Sequence, residues 1–309
     1  MGGPRVSIWS NQLSGPTDPA ADARWPDAAP RVGFFTDTSI CIGCKACEVA
    51  CKTWNALPAD GLAFSGHSYD NSLSLGATTW RHVAFIEQVR PEASPVADGE
   101  PAPPPGAAPV RWLMSSDVCK HCTHAGCLDV CPTGALFRTE YGTVVVQNDV
   151  CNGCGYCVPA CPFGVIDKRR PDEHPAQDED PRVGIAQKCT LCYDRLRADQ
   201  TPACAQACPT TSITFGPLDE LRQQAAERVA TLHGRGVSEA QLYGADELDG
   251  VGGTGSIFLL LDEPEVYGLP PDPIVPTADL PDIFRRAGQA GLAMLGAVAL
   301  AFLTDRRRP

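Results

Sequence analysis

The stretch Cys151-Asn-Gly-Cys154-Gly-Tyr-Cys157-Val-Pro-Ala-Cys161-Pro162 carries the densest chemistry in the chain. Thiolates at C-x2-C-x2-C spacing can cap one face of a [4Fe–4S] cubane. A fourth cysteine three residues on, followed by proline, points away toward a second cluster. Three further runs repeat the theme: Cys41, Cys44, Cys47 and Cys51; Cys119, Cys122, Cys127 and Cys131 before Pro132; Cys189, Cys192, Cys204 and Cys208 before Pro209. These four runs account for all sixteen cysteines of the 309 residues. Such a set predicts a wire for electrons.

Two rival chemistries use many cysteines, a disulfide framework and structural zinc. Grouped C-x2-C pairs speak for metal over disulfides. The repeated C-x3-C-P ending speaks for iron–sulfur over zinc. Sixteen thiolates supply four [4Fe–4S] clusters, and no ligand position is filled by another residue, so no [3Fe–4S] centre is expected.

In two-cluster ferredoxins the fourth cysteine of each run serves the other cluster. Runs two and three lie close in sequence and should pair. Cluster C then takes Cys119, Cys122, Cys127 and Cys161, and cluster D takes Cys151, Cys154, Cys157 and Cys131. Runs one and four must pair around them. Cluster A takes Cys41, Cys44, Cys47 and Cys208, and cluster B takes Cys189, Cys192, Cys204 and Cys51. The alternative, one with two and three with four, is disfavoured by the 67 residues between Cys51 and Cys119.

The expected fold is α+β, with two pseudo-symmetric bacterial-ferredoxin-like 2[4Fe–4S] units, one nested in the other. The first is split over 32–114 and 183–216, and the second is 115–182. An extended arm (1–31) precedes them, and an extension (217–282) and a single membrane helix (283–304) follow. The arm has Pro at 4, 16, 19, 26 and 30, with Trp9 and Trp25 available to dock it on a neighbour.

The elements that must position the thiols are short. Val32-Gly-Phe-Phe-Thr-Asp37 reads as a strand feeding the first run. Cys47 and Cys51 stand at i and i+4, on one face of a short helix. Arg81–Arg90 alternates as a strand and Val110–Met114 returns, with the Pro-rich stretch 91–109 as a surface loop. Strand Thr143–Asn148 separates runs two and three. The charged stretch 167–182 reads as a solvated bridge. A helix should start at Pro217, with proline at its first position, and stop at Gly234 and Gly236. Ile257–Leu261 reads as a buried strand, and Gly250-Val-Gly-Gly-Thr-Gly255 as a turn with no dinucleotide setting.

His67, His82, His121 and His124 are not needed as ligands; His121, inside a C-x2-C, is placed to shield or hydrogen-bond a cluster. Lys45, Lys120 and Lys188 adjoin ligand cysteines and can raise potentials. No residue reads as catalytic, so the chain is not expected to be an enzyme by itself. Its formal charge of −12 and lack of a basic face exclude nucleic acid as a partner. The first thirty residues hold no apolar run, so no cleavable signal peptide is expected and an export signal would come from a partner.

Ala287–Leu303 is uncharged over 17 residues, about 26 Å as a helix, between Arg285-Arg286 and Arg306–Arg308. Its length and flanks favour a membrane span over a buried soluble helix. The terminal arginines lean toward a cytoplasmic C-terminus.

The chain resembles the iron–sulfur (beta) subunit of membrane-bound respiratory formate dehydrogenase, of the formate dehydrogenase-N type. The resemblance rests on Thr38–Cys47, Trp54-Asn55, Cys151–Cys157 with Cys161-Pro-Phe163, and Lys188–Cys192 through Pro202–Cys204. Beyond the cysteines, Ala226–Ala230, Gly250–Thr254 and Tyr267–Pro273 match as well. It implies an alpha subunit holding molybdenum or tungsten with a pterin cofactor, which oxidises formate. It also implies a cytochrome b gamma subunit that passes electrons to quinone, and localisation at the membrane with clusters on its outer face, the cytoplasmic face being the alternative. The competing expectations are the same wire in another molybdopterin oxidoreductase, or a free polyferredoxin.

Overall fold

A computed structural model describes residues 25–59, 72–89, 110–170, 180–275, 277 and 280–305. Trp9, His67, the loop 91–109, most of the charged bridge and the terminal arginines lie outside the described residues.

The framework is a four-stranded sheet in the order β8-β1-β10-β9. Its members are β1 (Val32–Asp37), β8 (Ile213–Pro217), β9 (Gln241–Tyr243) and β10 (Ser256–Leu260). Strands β1 and β10 run parallel, Phe34 opposite Ser256, while β8 and β9 flank them antiparallel. β10 is buried at every residue, as an apolar strand covered on both faces must be. The two-residue side-chain period then divides the work. Phe35, Ile257 and Leu259 pack under helix α5 (Leu218–Gly234), on Leu218, Leu221, Ala225 and Leu232. Phe34, Phe258 and Leu260 face the other way, into a core shared with Cys47, Cys51, Cys119, Cys189 and Cys204. The sheet is a wall with a helix on one side and thiols on the other. Two of its four strands come from the segment 217–282.

A long hairpin flanks the wall. β2 (Arg81–Val89) pairs with β3 (Val110–Val118) in an unbroken antiparallel register from Arg81↔Val118 to Val89↔Val110. β3 runs four residues past Met114, crossing the 114/115 boundary and delivering the chain directly to Cys119. Smaller pairs follow: β4 (Leu136–Arg138) with β5 (Val144–Val146), and β6 (Asp167–Lys168) with β7 (Ala186–Gln187).

Two local expectations need correcting. Pro217 is not the first helical residue; it ends β8 as the N-cap, at φ −56° and ψ 133°. Its missing N–H costs nothing there either, because only the next residue needs a donor: Leu218 N–H reaches Arg31 O at 2.8 Å. Gly234 belongs to the helix, and the turn out is made by Gly236 at φ +87°. Trp25, in turn, docks on its own chain, donating from Nε1 to Arg138 O at 3.0 Å.

The final helix, α6 (Leu280–Asp305), contains Ile283–Leu303, 21 residues of mean hydropathy 1.4 with none of the most apolar window buried. It is the one helix among the described residues long and apolar enough to cross a membrane.

Candidate metal centres

Each cysteine run is a loop held in left-handed backbone. Gly43 (φ 64°) and Lys45 (φ 60°) shape the first, His121 (φ 45°) the second, Gly153 and Gly155 (φ 71° and 82°) the third, Leu191 and Cys192 (φ 56° and 50°) the fourth. Alternating hands turn successive N–H groups inward, a concavity that suits an anion. Leu191 N–H donates to Cys189 Sγ at 3.3 Å. The glycine at 43 is required twice over: a Cβ there would also stand 2.7 Å from Phe85 Cε1.

The loops gather cysteines from different runs. Cys41, Cys44, Cys47 and Cys208 line one cavity, with Ser116, Ser212 and Ile213. Cys119, Cys122, Cys127 and Cys161 line another, with His121, Phe163 and Lys188. The other two quartets meet through their charges. Burial pushes the Cys51 thiol well up, and Cys189, Cys204 and Cys192 add to the push. Cys157 is raised to about 11 by burial, with Cys151, Cys154 and Cys131 contributing. Cys51 is carried by helix α1 (Ala46–Trp54), Cys127 by α2 (Gly126–Asp129) and Cys204 by α4 (Ala203–Gln206); α3 (Tyr193–Leu196) follows Cys192 directly. The quartets also follow one another. Cys47 feels Cys204, Cys189 feels Cys119, and Cys127 feels Cys157, which strings them in the order A, B, C, D.

All sixteen thiols are free. Crowding them together unmetallated is costly: burial first, then mutual repulsion, raises Cys47 and Cys192 to about 11 and Cys127 to about 12. Metal converts that cost into binding, since a coordinated thiol is a thiolate. Among the described residues no three His, Cys, Asp or Glu converge tightly enough for a single metal ion. In the first and third quartets the thiols stand around a cavity, which suits a cubane.

Buried and half-buried cations stand among the quartets. Lys188, 2% exposed, reaches Cys119 Sγ at 3.5 Å and Cys189 O at 3.0 Å. Burial pulls its ammonium down, but Cys119, Cys127 and Cys189 outweigh that and hold it above its ordinary value. Lys120 pairs with Asp117 and lies 4.9 Å from the Phe258 ring centroid. Lys45 pairs with Glu48 at 3.1 Å, and Glu48 lies 3.4 Å from His82. His121 accepts from Val144 N–H at Nδ1, leaving Nε2–H beside the cavity it lines. Burial, then Lys188 and Arg31, push its pKa well down, so it stays neutral.

Two contributors were missed by sequence reading. Arg81 opens a strand by pattern, yet its guanidinium is 1% exposed among thiols. The glycine-rich turn 250–255 grips the second run. Gly253 O and Val251 O accept from Thr123 and His124 N–H at 3.0 and 2.8 Å, and Ser256 Oγ donates to Cys119 O at 2.9 Å. Gly252 has φ +71°, and a Cβ there would meet His124 Cδ2 at 2.5 Å. Gly252→Ala is therefore expected to destabilise the chain by about 1–3 kcal/mol. The loss should read as a lower Tm and less iron per chain in the purified protein; unchanged values would mean the second run stands without this grip.

Two family models, each described as a 4Fe-4S dicluster domain, match residues 40–135 and 110–218. The formate dehydrogenase iron–sulfur subunit of Haemophilus influenzae is 40% identical over 259 residues, covering 82% of this chain and 73% of that protein. The nitrate-inducible formate dehydrogenase iron–sulfur subunit of Escherichia coli is 38% identical over 256 residues, covering 82% and 76%. The B subunit of the anaerobic dimethyl sulfoxide reductase of Escherichia coli is 32% identical over 198 residues, covering 64% and 79%. Two dicluster domains and sixteen cysteines make four [4Fe–4S] clusters.

Proposed function

The chain belongs to the family of formate dehydrogenase iron–sulfur subunits, and on that premise we propose that it is the electron-transfer subunit of a formate dehydrogenase complex. It works between a molybdenum or tungsten alpha subunit and a membrane cytochrome b gamma subunit. The observation that carries this reading is the length of the match. The formate dehydrogenase relatives are 38–40% identical over 82% of the chain, against 32% over 64% for the dimethyl sulfoxide reductase subunit.

The four clusters supply one-electron storage in a row. The chain's own residues hold and insulate them. Cys41, Cys44, Cys47 and Cys208 hold the first; Cys189, Cys192, Cys204 and Cys51 the second. Cys119, Cys122, Cys127 and Cys161 hold the third; Cys151, Cys154, Cys157 and Cys131 the fourth. The crossing of fourth cysteines makes two pseudo-symmetric units of this row, split and nested over 32–114 with 183–216 and 115–182. Phe34, Phe258 and Leu260 exclude water on one side.

The two ends of the row differ. Near the first quartet, Cys44, Val49, Trp54, Ala203 and Ala207 line an open groove, with Val49 64% and Trp54 45% exposed. That surface suits the catalytic subunit. Toward the other end, Thr277 donates to Asp129, which lies between Cys127 and Cys131, and Val275 N–H donates to Gly250 O at 3.2 Å. The chain leaves from there into α6, which spans the membrane beside the cytochrome. Electrons enter at the groove and leave toward the lipid.

Anaerobic purification through a tag on this chain tests the reading. About sixteen irons per chain and EPR signals that grow on adding formate are expected. Full iron with no response to formate would assign the wire to another enzyme.

A further inference from the structure

Arg81 occupies a place that an ordinary surface-strand arginine does not. It opens β2 opposite Val118, one residue from Cys119. Its side chain turns inward and is 1% exposed. The guanidinium stacks at 4.8 Å from the Phe34 ring centroid. Nη1 donates to Ser116 Oγ at 3.0 Å and Ser116 O at 3.3 Å. Ser116 Oγ in turn lies 3.2 Å from Cys47 Sγ. The remaining nitrogens, Nε and Nη2, are buried with no hydrogen-bond partner.

A buried guanidinium with two idle donors is costly unless an anion meets it. No carboxylate is among the groups that act on it most; the strongest are Cys204, Cys47, Cys189 and Cys51. Cys47 belongs to the first quartet and the other three to the second. As thiolates, the form a cluster ligand takes, they hold the charge high, above the ordinary arginine value, against the opposing pull of burial.

We propose that Arg81 is a fixed cation set between the first and second clusters, its idle N–H groups directed at their sulfurs, and that it raises the reduction potential of both. The proposal rests on the four-cluster reading. A cluster held by four thiolates is an anion whose charge grows on reduction. A neighbouring cation therefore favours the reduced form, most strongly in a dry interior. Hydrogen bonds to cluster sulfur act in the same direction. Arginine suits the place because its charge survives burial and its fork can donate in several directions at once. The effect is local: the third and fourth clusters lie beyond Lys188, which supplies its own charge between the second and third.

EPR-monitored redox titration of the anaerobic, formate-oxidising complex tests this. In Arg81→Gln, two of the four reduction steps should move to lower potential. Each should shift at least tenfold in equilibrium, about 59 mV for one electron, while the other two stay. Arg81→Lys should return both steps most of the way. Four unmoved steps with full iron would overturn the proposal, as would a shift spread evenly over all four. Should Arg81→Gln load incompletely, Arg81→Lys decides. Full iron and near-normal potentials support a charge-balancing cation, and iron loss in the lysine variant as well overturns it. Failure of the underlying four-cluster reading is distinguishable, because it would appear as missing iron in the unsubstituted complex.

Discussion

Cys51→Ala is expected to remove the cluster of the fourth run and leave that of the first, an outcome opposite to what local sequence suggests. Cys51 follows Cys47 by four residues on α1, so the two share a helix face. Yet the thiols that press on Cys51 are Cys189, Cys204 and Cys192, after burial itself. The cavity of Cys41, Cys44 and Cys47 is completed instead by Cys208. One helix thus serves two neighbouring sites. Iron should fall from about sixteen to about twelve per chain. The EPR signal lost should be the one lost in Cys192→Ala, and differ from that lost in Cys44→Ala. The double variant Cys51→Ala with Cys192→Ala should lose no more iron than either alone, since ligands of one cluster act as a unit. Disturbing an outer partner of a metal already costs about 10–100-fold in affinity or activity. Removing a ligand from the middle of a row should therefore cut formate-driven quinone reduction by on the order of 100-fold or more. Formate-driven reduction of a dye at the catalytic subunit should persist. If Cys51→Ala and Cys44→Ala erase the same signal, the crossing of ligands is wrong.

The four cysteine runs are legible in sequence because each is a local loop. Within a run, spacing and a left-handed residue nearly determine the shape. The wall behind them is not legible in that way. Ile257–Leu261 reads as a buried strand, but nothing in it names Val32–Asp37 as its parallel partner, more than 200 residues earlier. Parallel pairing is decided by what covers both faces, here α5 and the thiol core, and that is a property of the folded chain. Arg81 is hidden for a similar reason. A strand places alternate residues on opposite faces, so an arginine at its start reads as solvent-facing; only the buried anions opposite make the inward position favourable. The turn Gly250–Gly255 reads correctly as a turn, and its glycines look like flexibility. Their reason is contact: Gly252 and Gly255 lie against His124 and His121, where a side chain has no room.

A chain ending at Thr277 should keep its four clusters and lose its membrane. The cut preserves the Thr277–Asp129 contact and removes α6, none of whose most apolar window is buried. In water, Leu292, Met294, Leu295 and Phe302 stand 72%, 66%, 67% and 70% exposed. Burying a single side chain of this kind contributes about 1.5–3 kcal/mol. Four of them on one helix make an apolar surface, which on the proposed reading lipid or a lipid-embedded partner covers. Fractionation should find the full-length complex in membranes and the truncated one in the soluble fraction, both with about sixteen irons. Dye reduction by formate should survive truncation, and quinone reduction should collapse. Leu295→Arg grades the argument, because an arginine near the centre of a span costs about 2.5–3.5 kcal/mol on insertion. That is less than the combined gain of the apolar face, so membrane attachment should weaken and not vanish. Truncated chains that stay in the membrane at full yield would move the anchor from α6 to the cytochrome-facing surface near Asp129. The apolar helix would then need a protein partner to explain it.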